Sequence, residues 1–399
     1  MGKRNRVGIV SDDIVGAILV VALGRDQPCP YGYMRPGLVI YGSLDTVSGG
    51  YLYDRMLVAH LRQCGDEVDI ISIPWRSYGQ HLADNFSSTL LRRLRDGRYD
   101  VLLQDELNHP SLFILNRRLA GATSRSPRPT SMISIVHHLR SSESRPAFQN
   151  ILYRFVERQY LSSVDGFIFN SRATKGAVER LAGNHRPSVV AYPAGDRFGP
   201  PLEPDRIRER ATRPGPLKLL FVGNIIPRKG LHTLLDALAQ IPDGWELNVV
   251  GNLDFDRNYA EIIRRRAAEM RPVRFSKPDR SNMLTDSELA AQLADSHMLV
   301  VPSSYEGFGI VYLEGMGFGL PAIATTAGAA GEIITHGRDG FLIAPNESAA
   351  LAQYIQRLIE DRSLLLNMSL AARERYSQHP TWEQSAGQIR GFLQKIVSH

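Results

Sequence analysis

The sequence predicts an α/β protein made of two doubly wound domains, and three observations predict it. From Leu38 onward, short apolar runs alternate with longer stretches whose apolar residues recur at helical spacing. That is the pattern of parallel strands joined by crossover helices. Pro200, Pro201, Pro204, Pro214 and Pro216 cluster between two such patterned regions. Because proline resists helix and sheet interiors, this stretch reads as an interdomain linker. The third observation is Val300 to Pro321, where an apolar run leads into a Gly-punctuated loop and a short helix closed by Gly319 and Pro321. Gly307 and Gly309 let the backbone come close to a ligand, and the first N–H groups of the helix favour an anion.

Two carboxylates flank that turn, Glu306 in the loop and Glu314 about two turns into the helix. On one regular helix they would stand about 12 Å apart at roughly 1.5 Å per residue. That exceeds the about 5–9.5 Å of a glycosidase carboxyl pair. Two acceptors gripping separate hydroxyls of one long ligand fit the spacing better.

At 399 residues the chain can bury two cores. The net charge of +6 comes from a lopsided basic set, 41 Arg against 6 Lys. Arginine is the better fork for phosphate, so an anionic substrate or a membrane surface suits this composition. No basic run interleaved with aromatics occurs, which argues against nucleic acid. Cys29 and Cys64 give neither a disulfide framework nor a metal-ligand spacing, and a reducing cytoplasm is expected.

Residues 1–36 stand apart as an N-terminal extension. They combine Lys3, Arg4 and Arg6 with an apolar run from Ile14 to Leu23, far short of the about 20 residues of a spanning helix. With Ala22-Leu23-Gly24 the pattern mimics a weak signal peptide. Either Met34 is the natural start or the leader is a peripheral extra.

Leu38 to Tyr41 reads as the first strand and runs into Asp45-Thr46-Val47-Ser48-Gly49-Gly50. A helix follows with Leu52, Met56, Leu57 and Leu61 on one face, stopped at Gly65. Val68 to Ile73 and Val101 to Leu103 are further strands, the latter ending at Gln104-Asp105-Glu106, carboxylates that either hold a ligand at the sheet edge or are simply solvated. Met132 to Val136 leads to His137-His138. After Pro146 a helix carries Phe148, Ile151, Leu152, Phe155 and Val156, which read as a core stripe. Gly166 to Asn170 is a strand with its turn, and Ser171 caps the next helix. In the second half, Leu217 to Val222 precedes Gly223-Asn224-Ile225-Ile226-Pro227-Arg228-Lys229-Gly230, where two cations and a helix start converge on one anion. Leu247 to Val250, Val273 to Phe275 and Ala322 to Thr325 are strands, Thr285 with Glu288 is a capping box, and the chain is helical beyond Ser348. The segment Leu90-Leu91-Arg92-Arg93-Leu94-Arg95 is either a solvated helix face or a surface for an anionic membrane.

The sequence S-x-Y-E-G-F-G-I-x-x-L-E-G-M around Glu306 and Glu314 resembles the E-x7-E motif of retaining glycosyltransferases of family 4. The resemblance runs from about Leu38 to the C-terminus. It implies the GT-B fold, two Rossmann-like domains facing across a cleft, with the last helix, near Trp382, crossing back to the first. The domains are then 37–205 with 382–399, which holds the acceptor, and 206–381, which holds the nucleotide-sugar. By the same resemblance, Glu306 contacts the donor sugar, Glu314 the ribose, and Arg228 and Lys229 the departing diphosphate. His137 approaches sugar and acceptor, with His138 leaving the register open by one. Gly50, Gly223, Gly307, Phe308, Gly309 and Ile310 line the donor site, with Arg274 at the base pocket. Tyr192-Pro193-Ala194-Gly195 stands where the family has P-N-G, without its Asn, and of the family's G-G-x-x-E only Gly331 and Glu332 are kept.

The resemblance implies a metal-independent hexosyl transfer from a UDP-, GDP- or ADP-linked sugar, with no cofactor. Asp254 and Asp256 form no convincing metal-binding pair. The acceptor is a lipid, a polysaccharide or a small metabolite, and the expected place is the cytoplasm, where nucleotide-sugars are made, with a peripheral contact on the inner membrane face left open. A non-catalytic nucleotide-sugar-binding partner of another transferase, or a GT-B-fold epimerase, is the alternative. A pyridoxal-phosphate phosphorylase finds no obvious lysine.

Overall fold

The computed structural model describes residues 32–123, 130–143, 145–183, 185–270, 272–276 and 284–398. The apolar run Ile14 to Leu23, its basic flank and Cys29 lie outside the described residues. The first domain comprises β1 (Pro36–Tyr41), α1 (Gly49–Gln63), β2 (Asp69–Ile73), α2 (Tyr78–Asp84), α3 (Ser88–Asp96), β3 (Val101–Asp105), α4 (His109–Thr123), β4 (Ser131–Val136), α5 (Ala147–Leu161), β5 (Gly166–Phe169), α6 (Arg172–Ala182) and β6 (Ser188–Val190). The second comprises α7 (Pro204–Thr212), β7 (Leu217–Val222), α8 (Leu231–Leu238), β8 (Trp245–Val250), α9 (Arg257–Glu269), β9 (Val273–Phe275), α10 (Asp286–Asp295), β10 (Met298–Val300), α11 (Ile310–Gly317), β11 (Ala322–Thr325), β12 (Gly340–Ile343), α12 (Ser348–Glu360) and α13 (Arg362–Ser377), with α14 (Trp382–Ser398) last in the chain.

Each domain holds a parallel six-stranded sheet, ordered β2-β1-β3-β4-β5-β6 and β12-β11-β10-β7-β8-β9. Leu38 pairs with Ile70 on one side and Leu103 on the other, which fixes the register of the first sheet. Alternation along β1 sends Leu38 and Ile40 to one face, in a core shared with α1 and α14. Val39 and Tyr41 go to the other, against Leu112, Leu115 and Leu119 of α4 and Tyr160 of α5. Both faces of a parallel sheet are thereby covered, which is why its strands read as continuous apolar runs.

Helix α14 returns to the first domain, as expected for the fold. Arg390 makes a two-pronged bond to the buried Asp66, Nε to Oδ2 at 2.7 Å and Nη2 to Oδ1 at 3.0 Å. The Trp382 ring meets Tyr53 edge-on with centroids 5.9 Å apart.

Three expectations are corrected. The proline-rich stretch is not irregular throughout: residues 204–212 form α7, because Pro204 occupies the helix's first turn, where no N–H is missed. Arg210 ties α7 into the second domain through the Gly319 and Ala294 carbonyls at 2.9 and 3.1 Å. The stripe on α5 is not core. Phe148, Ile151, Leu152 and Phe155 are exposed and only Val156 is buried, since the helix turns its other side, with Tyr160 and Leu161, to the sheet. Cys64 is disulfide-bonded, against the expectation of a thiol without a bridge. Among the described residues, no helix is long and apolar enough to cross a membrane.

Candidate active site

The C-terminal ends of both sheets meet at one cleft, where open α/β sheets bind ligands. On the second-domain side, β7 ends at Gly223 and a single 3-10 turn, Pro227–Lys229, presents the two cations. Gly230 follows at φ 73°, and a Cβ there would stand 2.1 Å from the Pro302 carbonyl oxygen. Only glycine allows this approach, and it sets the turn against the end of β10. Ser304 N donates to the Arg228 carbonyl at 2.8 Å, zipping the two loops together.

That docking places Lys229 Nζ 2.6 Å from Glu306 Oε2, which also accepts from Ser303 Oγ at 3.1 Å. Arg228 donates to the Tyr305 carbonyl at 2.9 Å and stands 4.0 Å from Glu306 and 3.5 Å from Glu143 of the first domain. Burial opposes the charge on Glu306, but Lys229 and Arg228 outweigh it and hold the carboxyl down at about 2. Burial in turn lowers Lys229, with Glu306 opposing. Partial burial opposes the charge on Glu143 too, but His138, Arg228 and Arg145 hold it likewise at about 2.

Helix α11 starts directly after Gly309, which takes the left-handed conformation at φ 96°. Glu314 is the fifth residue of α11, little more than one turn in rather than two. It is buried and paired with Arg197, Nε to Oε1 at 2.5 Å, and Arg197 also reaches Asp286. Gly195 makes this meeting possible: a Cβ there would stand 3.0 Å from the Glu314 amide nitrogen, so the interdomain crossover lies directly on α11.

Across the cleft, His137 and His138 divide the roles that their sequence adjacency left open. His138 turns to Glu143 at 3.0 Å. His137 is the buried one, its Nε2 3.4 Å from Asp54 Oδ1 and its amide donating to Glu106 Oε2 at 2.9 Å. Asp105 and Glu106 are therefore not solvated; with Asp54 they form an acidic floor under the ring. Burial opposes a charged His137, but Asp54, Asp105 and Glu106 raise it to about 9. Burial and the neighbouring Asp54 push Asp105 up to about 7, and burial with Asp105 pushes Glu106 well upward. Asp54, Asp105 and His137 each offer a ligand atom within 4.8 Å of the others.

The two sides touch at Gly307, where a Cβ would stand 2.4 Å from the His137 carbonyl oxygen; within the first domain, a Cβ on Gly50 would stand 3.0 Å from the His137 ring. Ser171 Oγ donates to the Gly307 carbonyl at 2.9 Å, and Glu332 accepts from the Arg172 and Ala173 amides at 3.0 and 2.7 Å, tying the domains together. A cavity of about 120 Å³ opens beside Gly223, lined by Val47, Val222, Val250, Gly251 and Ser276.

The structure thus brings Arg228, Lys229, Glu306, Gly223, Gly307, His137 and Gly50 to one cleft. Ile310 reaches toward Gly49, at 3.6 Å from where its Cβ would be. Phe308 instead packs its ring on Tyr192 and His379, both 5.8 Å away, and anchors the turn. Arg274 is exposed on the edge strand β9, two residues before Ser276. Asp256 caps α9 by accepting from the Tyr259 amide at 3.0 Å. Sequence reasoning missed Asp54, Glu143 and Arg197. Asp54 had a signal, a lone charge on the same α1 face as the buried Leu57, Val58 and Leu61.

Residues 204–375 match the glycosyl transferases group 1 family. The chain is 31% identical over 183 residues to a glycogen synthase of Mycobacterium tuberculosis, covering 44% of this chain and 42% of that one. It is 31% identical over 204 residues to a D-inositol 3-phosphate glycosyltransferase of Pseudarthrobacter chlorophenolicus, covering 49% and 47%. The matches span less than half the length of these curated relatives. Over nearly the whole chain the fold is that of a sucrose-phosphate synthase from Thermosynechococcus elongatus, TM-score 0.74 at 21% identity, covering 91% of this chain and 99% of that one. HepE from Anabaena, solved in complex with UDP-glucose, superimposes with TM-score 0.68 at 20% identity, covering 92% and 100%. The fold is GT-B, and residues 204–375 form a glycosyltransferase group 1 domain.

Proposed function

We propose that the chain is a retaining hexosyltransferase that moves a sugar from a nucleotide diphosphate sugar to an acceptor hydroxyl without a divalent metal. The observation that carries this reading is the meeting of Arg228, Lys229 and Glu306 at the turn after Gly223, with Glu306 four residues before the start of α11. As the anomeric C–O bond breaks, its electron pair moves onto the diphosphate oxygen. Two cations and the α11 amides meet that growing charge. The acceptor oxygen bonds to the anomeric carbon on the same face, and its proton passes to the leaving phosphate.

Glu306 is the acceptor for donor-sugar hydroxyls and Glu314 the one for ribose hydroxyls, a role that requires Arg197 to yield. His137, kept cationic by Asp54, shapes the sugar pocket rather than acting as a strong base. HepE has been solved with UDP and with UDP-glucose, so UDP-sugars are the first donors to test. The acceptor is held by the first domain, and whether it is lipid, polysaccharide or small metabolite is decided by assay.

A thermal-shift screen of UDP-, GDP- and ADP-sugars, followed by donor hydrolysis without acceptor, tests the reading. Losing one charged hydrogen bond costs about 1.5–3 kcal/mol, so Arg228→Ala should slow hydrolysis about 10- to 150-fold. A donor bound tightly by both proteins and hydrolysed by neither would instead mark a nucleotide-sugar-binding partner of another transferase.

A further inference from the structure

We propose that the outer face of α5 is a docking surface for an anionic lipid interface. Ten large apolar side chains are exposed among the described residues, and four of them lie on this one helix: Phe148 at 71%, Ile151 at 69%, Leu152 at 47% and Phe155 at 60%. Their spacing of three, four and seven residues makes one continuous stripe, where a surface helix of a globular protein normally places polar groups. The 15 residues of α5 give a ridge about 22 Å long at roughly 1.5 Å per residue.

Charge identifies the occupant. Arg154 and Arg158, both exposed, follow Ile151 at three and seven residues and border the C-terminal end of the stripe. The one acid of the helix, Glu157, is buried and accepts from the Ser141 amide at 3.2 Å, so it does not neutralise them. Arg117 of α4 bonds Gln159 at 2.5 Å and adds a third exposed guanidinium at the same end. A second copy of the chain fits poorly, because a twofold contact would lay the two arginine rows against each other. A stable dimer also buries about 800 Å² on each side, more than one narrow helix face supplies. An apolar ridge edged only with arginine suits acyl chains below and anionic headgroups beside it.

The position couples this face to the cleft. Helix α5 begins four residues after Glu143, which meets Arg228 across the domains, so a membrane on α5 would border the cleft's first-domain rim. The inference does not depend on the transferase reading, since lipid binding is measured without turnover.

The full chain should sediment with phosphatidylcholine vesicles containing phosphatidylglycerol and not with phosphatidylcholine alone, the binding weakening as salt rises. All substituted positions are exposed, and thermal melting checks that the variants stay folded. Arg154→Glu/Arg158→Glu should weaken anionic-vesicle binding by at least roughly 25-fold, about fivefold for each arginine lost, with the two added carboxylates weakening it further. Phe148→Ser/Phe155→Ser should weaken it at least as much. The proposal is overturned if the anionic vesicles are not bound, if neutral vesicles bind equally, or if folded forms of both variants bind as before. It is also overturned if light scattering shows a dimer that Phe148→Ser/Phe155→Ser dissociates, since the face then belongs to a second copy.

Discussion

Two charge clusters face each other over the cleft, one partly buried and one fully buried, and they are balanced differently. In the second domain Glu306 sits between Lys229 and Arg228, so cations outnumber the carboxylate they hold. In the first, Asp54, Asp105 and Glu106 surround a single ring, His137. The cationic excess lowers its acid to about 2, whereas the acidic excess raises Asp105 to about 7 and His137 to about 9. One cluster is set to receive an anion, and the other holds protons through neutral pH.

The sharpest way to break the contrast is Lys229→Ala, which leaves Glu306 buried without its closest cation. Removing one partner of a buried pair costs about 3–5 kcal/mol, so the melting temperature should fall and transfer should be nearly abolished. Lys229→Ala/Glu306→Gln should recover most of the stability and none of the turnover. Recovery of both would show that the cations are structural only. Gly307→Ala comes next. Its Cβ would stand 2.4 Å from the His137 carbonyl oxygen, and relieving that clash costs about 1–3 kcal/mol. Small-angle scattering should show the domains drawn apart.

A milder change sharpens the first-domain side. Asp54→Asn removes the charge closest to His137, and the alkaline limb of the rate profile should move down by about 1–3 pH units. An unmoved limb would detach His137 from that limb. The last change concerns Glu314. Arg197→Ala frees it from a charge-assisted bond worth about 1.5–3 kcal/mol, so calorimetry should find UDP bound about 10- to 150-fold more tightly.

Stability against pH should separate the clusters too. The folded pKa of Glu306 lies below its unfolded value of 4.5, so its contribution is present above that range and lost as pH falls through about 2. His137 is raised above 6.5, so its contribution is present below that and lost as pH rises through about 9. Asp105, raised from 3.8, binds protons more tightly folded than unfolded and adds a decline between 3.8 and about 7. Denaturation midpoints across pH should show the alkaline loss in the wild type, and Asp54→Asn should flatten it.

The second domain was the more legible half. Its strands and glycine turns carry their charged residues within short stretches, as in Gly223 to Gly230 and Val300 to Pro321, where local conformation alone sets each group on its turn. The first-domain cluster joins Asp54 on α1, Asp105 at the end of β3 and His137 after β4, and only the sheet order makes them neighbours. Arg197 carried no local signal because its partner Glu314 lies 117 residues away. The α5 stripe failed for another reason: periodicity shows that a face is apolar, not what lies opposite it. Cys64 carried no hint because spacing alone does not say whether a thiol is bridged.

Helix α14 adds a constraint on the order of events during synthesis. Its 17 residues supply Trp382, Ile389 and Leu393 to the core beneath α1, and Arg390 to the buried Asp66. The first domain therefore cannot close its core until α14, which is translated after the whole second domain, has emerged, and until then it must wait half-built while the second domain completes itself.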